Sequence, residues 1–429
     1  MSPLTICLII FVLTVISYCW GKLSMATTAL TSLILLTLFG CLTADEALAY
    51  FGDSNVVMIG GMCVVAAGFN RTKFCKNIAD AISKMANGSL TKVMAGYIIL
   101  GIILSQFIQS PVAVFGIVAP MLASSAEAIG VKSSKVMFPL GMAVVATCCT
   151  IPLGAGATVA SELNGYLESY GYTDFVVQLA DPAKGRLPLL IICAIYCIFF
   201  AVKTTPDEPV VQTKETSGKS LNQAPLSPFA ERAGYLIFIL DALGLMFAKQ
   251  IGLDNWQITV IGALLMIICG VLKPKEAVSA LPVSMLLLIV GALAMSGALS
   301  STGAGEWIGG YMAQLVTAVN GNSYIVGAVF FVIPFIMTQF MQNRATMMIF
   351  HPIAIATCAS IGGNPIGLMI LIQAGCLSAF MTPMATAAIP YMMDYGGYNQ
   401  SIMFKMSWLP AIIFVLVSVL WTMTIFPIL

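Results

Sequence analysis

This chain has little charge. Asp, Glu, Lys and Arg make up only 9% of its 429 residues, against about 25% in soluble domains. It holds one histidine, no basic block and one long polar stretch. A water-soluble core and a nucleic-acid surface are excluded by these shortages. An intramembrane enzyme would need a nucleophile with a base, or paired aspartates, and one histidine with sparse buried acids argues against it. The 12 cysteines are scattered, without the repeated CxxC pairs of a metal site. The adjacent Cys148 and Cys149 read as small packing residues. No metal and no organic cofactor are expected.

Apolar sequence is what the chain has most of, at 59%. Many runs are long enough to cross a hydrocarbon layer of roughly 30 Å, so the fold class is an all-α polytopic membrane protein. The first run, Pro3 to Trp20, has no basic region before it and no small-residue cleavage site after it. It reads as a span, not a signal peptide. Spans are expected at about 3–20, 24–43, 55–69, 136–164, 187–203, 233–250, 256–272, 283–301, 364–394 and 406–428. Two more apolar segments, 92–123 and 323–360, are interrupted by polar residues. The stretch from Thr204 to Arg232, rich in Pro, Ser, Thr and charge, reads as a linker.

The linker separates two halves, 1–203 and 233–429, that repeat each other. The first contains QFIQSPVAVFGIVAP from Gln106 and the second QFMQNRATMMIFHP from Gln339. Each half then has a Thr-Pro break inside a long span, TIPLGAGAT from Thr150 and MTPMATAA from Met381. An amphipathic stretch precedes each interrupted segment, at 70–90 and 303–320. The first of these carries Arg71, Lys73, Lys76 and Lys84, while its counterpart has no Lys or Arg. The positive-inside rule therefore gives the halves opposite topology. With the N-terminus outside and ten spans, Lys184, Arg186 and Lys249 fall outside and Arg344 within the membrane. The other fifteen of the 19 Lys and Arg residues fall inside. The sequons at Asn70, Asn87 and Asn399 lie in inside segments and are chance matches. Inverted repeats with discontinuous helices mark a secondary transporter, and a channel needs neither. Non-helical backbone at membrane depth survives only where it is buried or lines a cavity. The interrupted segments therefore read as two re-entrant hairpins with tips near the midplane.

At this point the sequence resembles the divalent anion/sodium symporter family of the ion transporter superfamily. The likeness spans nearly the whole chain. It rests on the hairpins, on AEAIGVKSSKVMFPLGMAVVATCCTIPLGAGAT after the first, and on NPIGLMILIQAGCLSAFMTPMATAAIPYMMDYGGY after the second. The resemblance implies a scaffold plus a moving transport domain, an elevator mechanism and a homodimer. It implies di- and tricarboxylate substrates, or sulfate, and sodium as coupling ion. A bacterial plasma (inner) membrane suits the short chain. The departures lie at the tips. Where the family carries Ser-Asn-Thr, this chain reads Gln109-Ser110-Pro111 and Gln342-Asn343-Arg344.

Arg344 is the residue that most needs explaining, because a charge deep in a bilayer costs at least ~2.5–3.5 kcal/mol. It reads as a carboxylate clamp, since guanidinium offers a planar fork to a planar anion. The alternative is an ion pair with Asp241 or Glu306. Gln109, Ser110, Gln342, Asn343 and Thr346 bring amides and hydroxyls to helix N-termini, which favour anions; Ser110 and Asn343 also suit capping. Thr382 and Pro383 complete the expected substrate set. Ser110, Thr150, Gly154, Gly156 and Thr158 are the expected cation set, because an unwound helix frees hard oxygen ligands; a proline kink relieved by threonine is the plainer reading. A fixed Arg344 would repel a cation beside it, so loss of at least one sodium site is expected. Coupling then stays open among sodium symport, proton symport and anion exchange. His351 reads as packed, with proton coupling as its other role. Asp241 is an ion-pair partner or a span-end residue. A cation/proton antiporter or a sulfate-like oxyanion transporter remains the alternative function, although a positive midplane favours an anion.

Overall fold

In the computed structural model the apolar runs become helices whose ends are set by capping side chains, proline and glycine. Described are all residues except 1, 21, 74–87, 109, 153–155, 157, 173, 212–225, 304–321 and 429. The longer helices of the first half are α1 (Pro3–Trp20), α2 (Met25–Leu38), α3 (Ser54–Asn70), α4 (Leu90–Phe107), α5 (Pro111–Ala128), α6 (Ser133–Ala146), α7 (Val159–Ser169) and α8 (Asp181–Phe199). Those of the second are α9 (Pro228–Met246), α10 (Asn255–Ile268), α11 (Val283–Ser301), α12 (Ser323–Thr338), α13 (Asn343–Ile361), α14 (Ile366–Leu377), α15 (Ala388–Gly396) and α16 (Gln400–Ile425). No strand occurs among the described residues.

Local chemistry explains these boundaries. Ser24, Ser110, Ser227, Asn322 and Asn399 each accept a backbone N–H of the helix they precede. Pro111 and Pro228 stand in first turns, where a missing N–H costs nothing. Gly362 ends α13 and Gly397 ends α15 with φ of 66° and 64°, a conformation an L side chain resists.

Among the described residues, five helical stretches are long and apolar enough to cross a membrane alone: Ala44–Phe69, α4, α5, α8 and α16. A bent pair, Pro274–Ala280 with Val283–Leu299, makes a sixth. Six other apolar helices, α6, α12 and α14 among them, have 10–17 residues. These three stop at breaks, so each falls short of the ~20 residues that span a bilayer.

The helices pack in two groups. In one, α2 lies against α11 and α1, and α3 against α10 and α9. In the other, α4, α5, α6 and α8 pack on one another, as do α12, α13, α14 and α16. Within this second group, α8 touches both α14 and α16, and α15 lies against α6. Contacts of α3 with α5 and of α11 with α15 join the groups. Small residues allow the closest crossings: a Cβ on Gly291 would sit 2.4 Å from the Ala29 carbonyl, and one on Gly375 2.8 Å from that of Phe331.

The charged loops meet one another. Arg71 forms a 2.8 Å ion pair with Glu276 and donates to the Val271 carbonyl. The Lys73 N–H donates to Glu231. The expected linker is partly tied down: Lys132 pairs with Glu208, Lys135 with Asp207, and the N–H groups of Val210 and Val211 reach the Gly397 carbonyl. It also ends early, since α9 begins at Pro228. Its central residues, most of the expected amphipathic stretch 70–90 and nearly all of its counterpart 303–320 lie outside the described residues.

Candidate functional site

Two glutamines organise the breaks. Gln106, one residue before the end of α4, donates through Nε2 to Ile102 O at 2.7 Å and Thr147 O at 3.0 Å. Its Oε1 accepts the N–H groups of Thr150 at 3.0 Å and Ile151 at 2.9 Å. Gln339, one residue past the end of α12, donates to Phe335 O at 2.9 Å and Ser378 O at 3.4 Å, and accepts from Met381 N at 2.9 Å. Each amide thus satisfies its own last turn and the backbone of the facing break. Unpaired buried backbone groups cost about 1–3 kcal/mol each, so these side chains make non-helical chain tolerable there. The Thr382 hydroxyl adds a donor to the Gln339 carbonyl.

A later helix closes each break from behind. Arg186 of α8 is 1% exposed. Its guanidinium donates to Cys149 O at 3.1 Å, Ala146 O at 3.3 Å and Cys148 O at 3.0 Å. Gln400 of α16 donates to Met381 O at 2.8 Å. The first break is the tighter one: Cys149 has φ of 51°, and a Cβ on Gly156 would lie 1.9 Å from the Ile151 carbonyl. Only glycine fits that approach.

Arg344 stands in the first turn of α13, exposed, and its charge acts on Tyr166 of α7. Among the described residues it makes no ion pair; the four pairs found there lie elsewhere. Asp241, one expected alternative partner, is buried on α9 against Gly262 of α10 and does not meet it. Glu306, the other, lies outside the described residues. Beside Arg344, Gln342 is exposed, and Asn343 accepts the Thr338 hydroxyl at 2.8 Å. Asn343 is therefore already inside the helix, and Gln342 holds the capping position without a side-chain cap. The Thr346 hydroxyl is buried and donates to Gln342 O. Pro383 is buried in the second break with Thr382.

Ser110 caps α5, accepting Ala113 N at 3.4 Å. Thr150 is buried and its hydroxyl donates to Thr147 O at 2.9 Å. Gly156 is buried and Thr158 exposed, just before α7. Gln109 and Gly154 lie outside the described residues. His351 is buried on α13, its ring 4.8 Å from that of Tyr166.

Gln106, Gln339, Gln400 and Arg186 were not singled out by sequence. For the first two a signal existed, the Gln-Phe-x-Gln repeat, of which the first glutamine and not the second holds the break. Arg186 corrects the charge count: it is no water-facing loop residue but a buried side chain on a helix that starts six residues before the expected span. The helix begins early because Pro182 sits in its first turn, where proline is favoured.

Comparison with known proteins finds transporters. The profile of a citrate transporter family, CitMHS, matches residues 8–372. An uncharacterised transporter of Haemophilus influenzae is 24% identical over 420 residues, covering 92% of this chain and 86% of its own. The sodium-dependent dicarboxylate transporter SdcS of Staphylococcus saprophyticus is 22% identical over 395 residues, covering 84% of this chain and 74% of its own. An uncharacterised transporter of Synechocystis is 23% identical over 201 residues, 47% of this chain and 31% of that protein's length. The chain belongs to the citrate transporter family. It is a multi-pass membrane transporter and not an enzyme.

Proposed function

We propose that this family member is a secondary active transporter of small organic anions, dicarboxylates first, with Arg344 as the anion clamp. The carrying observation is a cation in a helix first turn that has no ion pair among the described residues. A helix N-terminus and a guanidinium both favour a carboxylate, and together they favour it more. The relatives named as dicarboxylate transporters support the substrate class. Gln109, Ser110, Gln342, Asn343, Thr346, Thr382 and Pro383 form the rest of the site in this reading. Ser110 and Asn343 present their remaining hydrogen-bonding capacity at the two tips.

The reading extends to the architecture. Halves 1–203 and 233–429 are inverted repeats joined by the linker 204–232, each with a re-entrant hairpin (about 92–123 and 323–360) and a discontinuous helix (136–164 and 364–394). The matching bonds of Gln106 and Gln339 support this pairing. The group holding both breaks moves as a transport domain against the other, elevator-fashion, in a homodimer of the plasma membrane with its N-terminus outside and the linker in the cytoplasm. Arg344 supplies positive charge that a bound sodium ion would otherwise supply, so fewer than two sodium ions accompany each anion.

Uptake of radiolabelled succinate into proteoliposomes tests this. A sodium gradient, a proton gradient and preloaded unlabelled succinate are compared, with sulfate and citrate as competitors. Succinate uptake with a sodium Hill coefficient no greater than about one is expected. Uptake of sulfate alone, or a coefficient near two, contradicts it.

A further inference from the structure

Arg186 carries a full charge inside the protein and, among the described residues, has no carboxylate partner. It meets three carbonyls at the end of α6, those of Ala146, Cys148 and Cys149. The one left between them, Thr147 O, is taken by the Gln106 amide and the Thr150 hydroxyl. Every carbonyl from 146 to 149 therefore accepts an internal donor. Such carbonyls, at the C-terminal end of an interrupted helix, are the groups that coordinate alkali cations in broken-helix transporters. They also form the negative end of the helix dipole, where a positive charge is favoured. A side chain already fills that place.

We propose that Arg186 is the resident cation of the first break: its guanidinium sits where a dissociable coupling ion would bind, so no alkali ion binds those carbonyls. The fixed charge then helps compensate the substrate anion from behind the break, as Arg344 does from in front of the other. This rests on the reading that both breaks line the anion site. It names a coupling-determining residue that touches neither solvent nor substrate. Gly185 seats it: a Cβ there would lie 2.6 Å from Ile370 of α14, so α8 is held close to its neighbours at this point.

The test removes the fork and offers free cations. Purified wild type, Arg186→Ala, Arg186→Gln and Arg186→Lys are melted without substrate in equal concentrations of choline, sodium and methylguanidinium chloride. The neutral variants should be less stable in choline. Sodium or methylguanidinium should raise their melting temperature by about 2–4 °C more than it raises that of wild type. Arg186→Lys, which keeps a charge at the carbonyls, should show no such gain. In proteoliposomes the sodium-to-choline ratio of succinate uptake should rise at least about fivefold in Arg186→Gln relative to wild type. If Arg186→Ala does not fold, the Gln and Lys variants carry the comparison. Neutral variants whose melting and uptake gain no cation dependence over wild type overturn the proposal and leave Arg186 a structural cap. The melting readout needs no substrate, so a wild type that carries no dicarboxylate would sink the transport reading while leaving this result intact.

Discussion

The two breaks solve one problem with different chemistry. After α6 and after α14 the chain leaves the helix while buried, and in both a glutamine from the end of a helix earlier in the same half, α4 or α12, bridges to the freed backbone. The first break is backed by a guanidinium, Arg186, and faced by a tip reading Ser110-Pro111. The second is backed by a neutral amide, Gln400, and Arg344 stands in the first turn of α13, which packs against α14. In the proposed site each half contributes one arginine, behind the break in one and in front of it in the other. The shared glutamine makes irregular backbone tolerable; in the proposed function the arginine's position sets where positive charge meets the transported ion.

The largest effect should come from the shared part. Gln106→Leu strands the N–H groups of Thr150 and Ile151, while Gln339→Leu strands that of Met381. At ~1–3 kcal/mol per buried unpaired group, the first should lose about twice the stability of the second in a thermal or denaturant melt. Equal losses would break the comparison at its root. Gly156→Ala comes next. Its Cβ would collide with the Ile151 carbonyl, so a loss of about 1–3 kcal/mol with impaired uptake is expected. The second break has Ala385 and Ala387 before α15 and no such requirement. Gln400→Leu should cost about 1 kcal/mol, one hydrogen bond to Met381 O, and should leave sodium dependence unchanged, in contrast to Arg186→Gln. Lys132→Ala should be nearly silent, within about 0.5 kcal/mol, because its pair with Glu208 is 50% and 70% exposed.

Much of this was legible in the sequence. Helices, breaks and the interrupted segments follow from apolar runs, proline and glycine, because those signals act locally. α14 and α15 lie on either side of Thr382-Pro383. The side chains that satisfy the breaks were less legible, because their partners are tens of residues away. Gln106 lies 44 residues from Thr150, and Arg186 lies 37 from Cys149. Nothing local distinguishes such an arginine from a loop charge at a span end. The linker likewise reads as loose from composition, yet Asp207 and Glu208 meet lysines more than seventy residues earlier.

The central claim is that Arg344 binds the anion. The direct measurement is the affinity of purified protein for radiolabelled succinate, wild type against Arg344→Gln, with melting temperature recorded for both. The account predicts binding weakened about 10–150-fold, the worth of a charge-assisted hydrogen bond, with little change in melting. Unchanged affinity with a lower melting temperature would contradict it, and would make Arg344 half of a structural ion pair.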